Sequence, residues 1–156
     1  MTQTLRFVYD GTTPVGFYMA SDVELAALGL TPGNPPTPTL EEAKAAKLEA
    51  LAAYRFDVEN GGTTLAGSFV ATDEKTRSVL TAARIKARED DNFTVNYKFG
   101  PGLFATLTAA QIIATADGVA AFIQACFDRE EVLSDLILAA ANQAALDAID
   151  ITTGWP

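Results

Sequence analysis

The chain has no histidine. That removes the commonest general base, the commonest metal ligand and every histidine-based catalytic triad. There is one cysteine, Cys126, so no disulfide can form within the chain. Cys126 falls on an apolar stripe with acids nearby, surroundings that raise a thiol pKa and mark a structural residue rather than a nucleophile. Neither GxxxxGK[ST] nor GxGxxG occurs; Gly61-Gly62 and Gly100-Pro101-Gly102 read as turn glycines. Basic residues are scarce, 11 against 20 acids, and the net charge of −9 argues against binding nucleic acid or an anionic membrane. No run of about 18 strongly apolar residues is present, so no membrane span is expected. The segment Met1–Arg6 lacks the basic-then-apolar pattern of a signal peptide. Carboxylates occur in runs such as Glu130-Glu131, which read as solvated faces, with nothing to align two of them on a sugar. The expectation is a protein without catalytic residues, metal or cofactor.

The chain does carry apolar residues in quantity, 49% of 156, which excludes a disordered tail and allows one ordinary domain or two very small ones. Much of that share is alanine, which favours closely packed helices. The organising stretch runs from Thr108 to about Ala145. Thr108-Ala109-Ala110-Gln111 fits a capping box. Apolar residues then step by four and three: Ile112, Ala116, Val119, Ile123, Cys126, Leu133, Ile137, Ala140 and Ala144. The row is broken at Glu130, and Ile113, Ala120, Phe122 and Phe127 widen it. A helix of about 38 residues spans on the order of 57 Å. That is long for this chain and suggests either assembly or a break near Asp128-Arg129-Glu130-Glu131. Two readings fit the stripe: a core-facing helix, or an oligomer seam. Seven acids and one base lie between 108 and 156. The end, Ile149 to Pro156, is too apolar for an idle tail. Trp155 reads either as an anchor at an interface or as closure of the chain's own core.

Upstream, Leu5–Tyr9 and Val15–Met19 alternate as strands around the turn Asp10-Gly11, a hairpin that must pack on something to be stable. Ser21 to Glu24 is a second capping box, opening a short helix with Leu25, Leu28 and Leu30. Thr31–Pro38 holds four of the seven prolines and reads as a semi-rigid linker between a head, 1–30, and a body, 39–156. Thr39 to Glu42 is a third capping box, for a helix running to about Asn60 with Gly61 past its end. Thr63–Leu65 and Ser68–Ala71 suggest a short hairpin. Thr72 or Asp73 caps a helix to about Ala87, and this helix holds Lys75, Arg77, Arg84, Lys86 and Arg88 nearby. Those bases are either a solvated face or partners for the acidic long helix. Glu89–Asn92 is an acidic turn without the ligand spacing of a calcium loop. Phe93–Phe99 alternates strictly, turns at Gly100-Pro101-Gly102 and returns along Leu103–Leu107, with an apolar face that the long helix is placed to cover. The fold class is therefore α+β: short antiparallel hairpins and three body helices, the last dominant.

Several stretches carry a resemblance. They are Leu40–Lys47, Ala53–Glu59, Ala71-Thr72-Asp73 with Ser78, Ala105–Ile112, Cys126–Glu130 and Ile149–Pro156. In this order they resemble an uncharacterised domain family of small proteins from tailed bacteriophages and prophages, of the tail fibre or tail fibre assembly type. The likeness covers about 39–156. It implies a non-enzymatic structural or adaptor protein of the virion tail, at the fibre or baseplate, made in the cytoplasm of a bacterial host. A tail fibre assembly chaperone that leaves the particle is the alternative. The implied partners are other tail proteins and two further copies of the chain, a trimer matching tail symmetry and motivated by the 4-3 seam, with neither nucleic acid nor membrane. The expected partner interface is Ile112, Val119, Ile123, Leu133, Ile137, Ile151 and Trp155.

Overall fold

A computed structural model describes residues 4–33 and 37–156 and shows an α+β protein in two compact units, Met1–Glu41 and Glu42–Pro156. In the first unit, β1 (Thr4–Asp10) pairs antiparallel with β2 (Thr13–Ala20) across the Gly11-Thr12 turn, where Gly11 takes positive φ. Helix α1 (Asp22–Ala27) follows, held by the expected Ser21/Glu24 capping box. The chain then returns as β3 (Leu30–Gly33), so the sheet has three strands in the order β2-β1-β3. This corrects the linker reading for Thr31–Gly33, which the pairing of β1 with β3 takes into the sheet. The remaining prolines of that stretch include Pro35 and Pro36, which lie outside the described residues. Val8, Ala20 and Leu25 form the core of this unit, with Leu30 packed against them.

The second unit begins in α2 (Leu40–Asn60). Helix α2 stops at Asn60, and the left-handed residue past its end is Gly62, not Gly61. A Cβ at Gly62 would lie 2.3 Å from the Phe69 ring, so glycine is needed there for space as well as for φ. The hairpin of β4 (Thr63–Leu65) and β5 (Ser68–Val70) turns on Ala66 and Gly67, both at positive φ, the hallmark of a type I′ turn. Alanine is strained in that position by about 1–2 kcal/mol. Ala66→Asn, which offers the favoured Asn-Gly turn, is expected to stabilise the protein by about 0.5–1 kcal/mol in urea denaturation. An unchanged midpoint would show that the turn relaxes in solution.

Asp73 caps α3 (Glu74–Glu89), its carboxylate accepting from the Thr76 amide at 3.1 Å and the Thr76 hydroxyl at 2.7 Å. The Asp90 carboxylate then accepts from the Asn92 amide in the acidic turn. The strictly alternating segment forms β6 (Thr94–Gly100), paired with β7 (Leu103–Thr108). Its apolar face meets a shared core: Tyr97 is buried, and Phe93, Val95 and Phe99 are half-buried against a cluster that includes Val70, Leu80, Ala87, Ile112 and Val119.

Helix α4 spans Ala109–Ala139 and opens with the Thr108/Gln111 capping box. It is unbroken at Asp128–Glu131, because nothing there interrupts the backbone ladder. The break comes instead after Ala139: Ala140 caps, and Asn142 starts α5 (Gln143–Asp147) by accepting from the Ala145 amide at 2.9 Å. An asparagine that satisfies an orphan amide outweighs alanine's preference for continuing the helix. Ala144 is exposed as a result. By length and composition α4 could cross a membrane, although it has no unbroken run of strongly apolar residues, because alanine supplies much of its hydropathy. In this fold its apolar stripe packs inside the protein. Gly118 lets β4 approach closely, since a Cβ there would lie 2.9 Å from Leu65.

Candidate functional site

Charge was the feature of this sequence that most needed an explanation, and the structure supplies one. Glu59, near the end of α2, is buried and accepts from two guanidinium groups, Arg55 one turn earlier and Arg77 on α3. Arg55 also donates through Nε to Glu130 of α4 at 2.9 Å, and its guanidinium lies 4.6 Å from the centre of the Phe127 ring. Thus Glu130, the residue that breaks the apolar row of α4, is the one that binds the row to α2. The fully buried Thr72 ties the same corner to the backbone. Its hydroxyl donates to the Glu59 carbonyl and accepts from the Gly62 amide at 2.9 Å. The bases of α3 divide their work. Arg77 joins this network, Arg84 pairs with Asp117 of α4, and Lys86 pairs with Glu89 at 3.0 Å. Pairing with the acidic long helix is therefore intramolecular at Arg84.

The C-terminal half of α4 is closed by α2 and the tail. Lys44 donates to the Leu138 carbonyl at 3.0 Å and Lys47 to the Leu146 carbonyl at 2.6 Å. Both cations meet carbonyls at helix ends, where the aligned peptide dipoles are negative. Trp155 packs on Tyr54 with ring centres 5.7 Å apart and donates to the Ile151 carbonyl at 3.0 Å. Tyr54 donates to the Thr152 carbonyl, and Arg129 to that of Thr153. Gly154, at positive φ, lies against the Arg129 guanidinium, which a Cβ there would displace. Trp155→Ala is expected to lower stability by about 1–2 kcal/mol, since the ring is half-buried and loses its stacking partner. The check is thermal unfolding alongside a chain truncated at Ala148. An unchanged melting temperature in both would mean the tail does not close the body.

These placements correct the interface expectation at four of its seven residues. Ile112, Val119, Leu133 and Ile137 are buried inside the chain's own core and have no surface left for a partner. Ile123 is half-buried against that core, and Ile151 and Trp155 are half-buried in the tail closure, so each keeps part of its surface.

Cys126 is buried, and its thiol pKa is raised, first by burial and then by the Glu59 carboxylate, with Arg55 opposing. That is the environment of an inert packing residue. Asp73 and Asp150 are held below the usual carboxylate range. The main cause for Asp73 is the Thr76 side chain, and for Asp150 the Thr152 side chain, each followed by the same residue's amide. A carboxyl with a lowered folded pKa stabilises above its unfolded value of about 3.9, and that contribution is lost as pH falls through the folded value. Melting temperature should therefore fall more steeply below about pH 4 in the parent than in the Asp73→Asn, Asp150→Asn double variant. Parallel curves would refute the assignment.

Of the surface clefts among the described residues, two adjoin α4. One, of about 480 Å³, lies between the β4–β5 hairpin, the β6–β7 hairpin and the first turns of α4; its polar lining is Ser68, Gln111 and Thr115. The other, of about 310 Å³, follows the α3–α4 seam, with Leu80, Ile123 and Phe127 on its floor and Arg77 and Arg84 on its rim. The Arg84 Nε is buried there without an acceptor among the described residues. No group of three or more His, Cys, Asp or Glu able to hold a metal occurs among the described residues. What these elements define is a small α+β body knit by buried ion pairs, preceded by a separate three-stranded unit. Residues 42–153 match the family described as a domain of unknown function, DUF4376, and the chain belongs to that family. No curated protein and no solved structure matches the chain.

The sequence reading missed the Glu59 corner. Its one legible signal is the Arg55/Glu59 spacing of four, which also fits an ordinary exposed helix pair. It also missed the outer face of the first unit, where Leu5, Phe17 and Met19 stay exposed although the strand alternation was recognised.

Proposed function

We propose that this protein is a non-enzymatic structural or adaptor component of a bacteriophage tail, joined to the fibre or baseplate of the virion. One observation carries the reading. The stretches that resemble small phage tail proteins are the ones that hold the body together. Arg55 and Glu59 meet Glu130, Thr72 and Asp73 fasten the end of α2 and the start of α3, Thr108 and Gln111 cap α4, and Trp155 closes the tail. A motif set spent on packing suits a part that contributes shape and attachment. Its partners in this reading are other tail proteins. The assembly chaperone remains a second reading, favoured by the apolar outer face of the first unit, since a chaperone must present apolar surface to an unfinished fibre.

The deciding experiment is mass spectrometry of purified particles from a phage encoding this chain, with peptide counts set against the fibre and major tail proteins. A stoichiometry near that of the fibre is expected. Absence from particles, with abundance in the infected lysate, would replace this reading with the chaperone.

A further inference from the structure

We infer that the first unit is a self-association module: two copies of the chain pair through the outer edge of β2 into one continuous sheet. The inference does not depend on the tail reading.

The first observation is how little this unit buries. Its core is Val8, Ala20 and Leu25, with Leu30 against them, on the side where α1 packs and Arg6 pairs with Asp22. Units of about 40 residues need a disulfide, a metal or association to be stable. The chain's one cysteine is Cys126, outside this unit. No metal-holding cluster occurs among the described residues. Association is one way such a unit gains stability.

The second observation is which surface is left over. Side chains alternate across a strand, so Leu5, Phe7 and Tyr9 share the face away from α1 with Phe17 and Met19, their neighbours by register. Phe7 meets Phe17 and Tyr9 edge-on, at ring-centre distances of 5.1 and 5.5 Å. Gly33 completes the face by leaving room for the Tyr9 ring. Phe17 and Met19 are each 60% exposed and Leu5 57%. Among the described residues no charged side chain lies on this face.

The third observation selects the occupant. The sheet order leaves β2 and β3 as edges. Soluble proteins guard such edges with charge, proline or shortness. β3 is guarded: it has four residues and includes Pro32. β2 has eight residues and no charge; Pro14 and the irregularity near Val8/Tyr9 blunt only its turn end, leaving Gly16–Ala20 open. An open strand edge is covered best by another strand. Without charge on the face, nothing specifies an unlike partner. β2 suits itself: an antiparallel two-fold through Tyr18 sets Phe17 of one copy beside Met19 of the other and makes one six-stranded sheet with a continuous aromatic face. Such an isologous contact closes at two copies.

The test uses the full chain, in light scattering and sedimentation from low- to high-micromolar concentration. The expected state is a dimer. Phe17→Asp alone, and Met19→Lys alone, should each weaken association by roughly tenfold, because a lone charge then faces an apolar cross-strand neighbour at both symmetric positions. Both sites are exposed in the single chain, so far-ultraviolet circular dichroism should be unchanged. Mixing the Phe17→Asp chain with the Met19→Lys chain should restore the dimer, since the two-fold register sets the new acid beside the new base. A monomeric parent, a larger oligomer, a dimer indifferent to both substitutions, or a mixture that stays monomeric would each overturn the proposal.

Discussion

Replacing Glu59 with leucine should cost the body about 3–5 kcal/mol, the loss typical of removing one partner from a buried ion pair. The reason is what remains, not only what is lost. Glu59 is 5% exposed and accepts from both Arg55 and Arg77. Without it, Arg77 keeps one long contact, to the Asn60 side chain at 3.4 Å, and Arg55 keeps Glu130. Arg77 would then have no carboxylate partner, and Arg55 only Glu130. Substituting Glu59, Arg55 and Arg77 together with apolar residues of similar size should recover much of the loss, because the desolvation cost of the charges disappears with them. Chemical denaturation of the single and triple variants measures both effects. A single-variant loss under about 1 kcal/mol would show that the network behaves like an exposed pair.

Ile112→Ala should cost about 2–5 kcal/mol, and the cost should not depend on protein concentration. Ile112 is fully buried among Tyr97, Leu107 and other residues of the same molecule. The cavity left by truncation is therefore internal to one chain, whatever the oligomeric state. Were the α4 stripe a seam between copies, the same substitution would make the melting temperature vary with concentration more strongly than in the parent. Thermal unfolding of parent and variant over a hundredfold concentration range separates the two, and a variant-specific concentration dependence would return Ile112 to the interface. Together with the Phe17 variants, this experiment assigns core and contact surface to different units of the chain.

The elements of this protein were legible where local chemistry is self-contained. Thr108 with Gln111, Ser21 with Glu24, and Asp73 each satisfy orphan amides within one turn, so sequence spacing alone marks the helix starts. The alternation of Phe93–Phe99 likewise specifies a strand with one apolar face. Local rules failed where two local preferences competed. Ala140 and Ala141 favour continued helix, yet Asn142 caps a new one and the chain turns. Thr31–Gly33 has linker composition, yet it pairs with β1, because proline is tolerated on an edge strand that donates little to the ladder.

The site was less legible than the fold, for a physical reason. A 4-3 apolar row has the same spacing whether it faces the chain's own strands or a neighbour's helix. The row of α4 could be read as Ile112, Val119, Leu133 and Ile137, but not what covers it. By itself the sequence determined the element types, the capped helix starts, the acidic balance and the lack of histidine chemistry. Only the tertiary structure decided that Glu130 meets Arg55, that Asp117 meets Arg84 and that Trp155 meets Tyr54. Those pairs lie far apart in the chain, and only the packing of α2 and α3 around α4 brings them together.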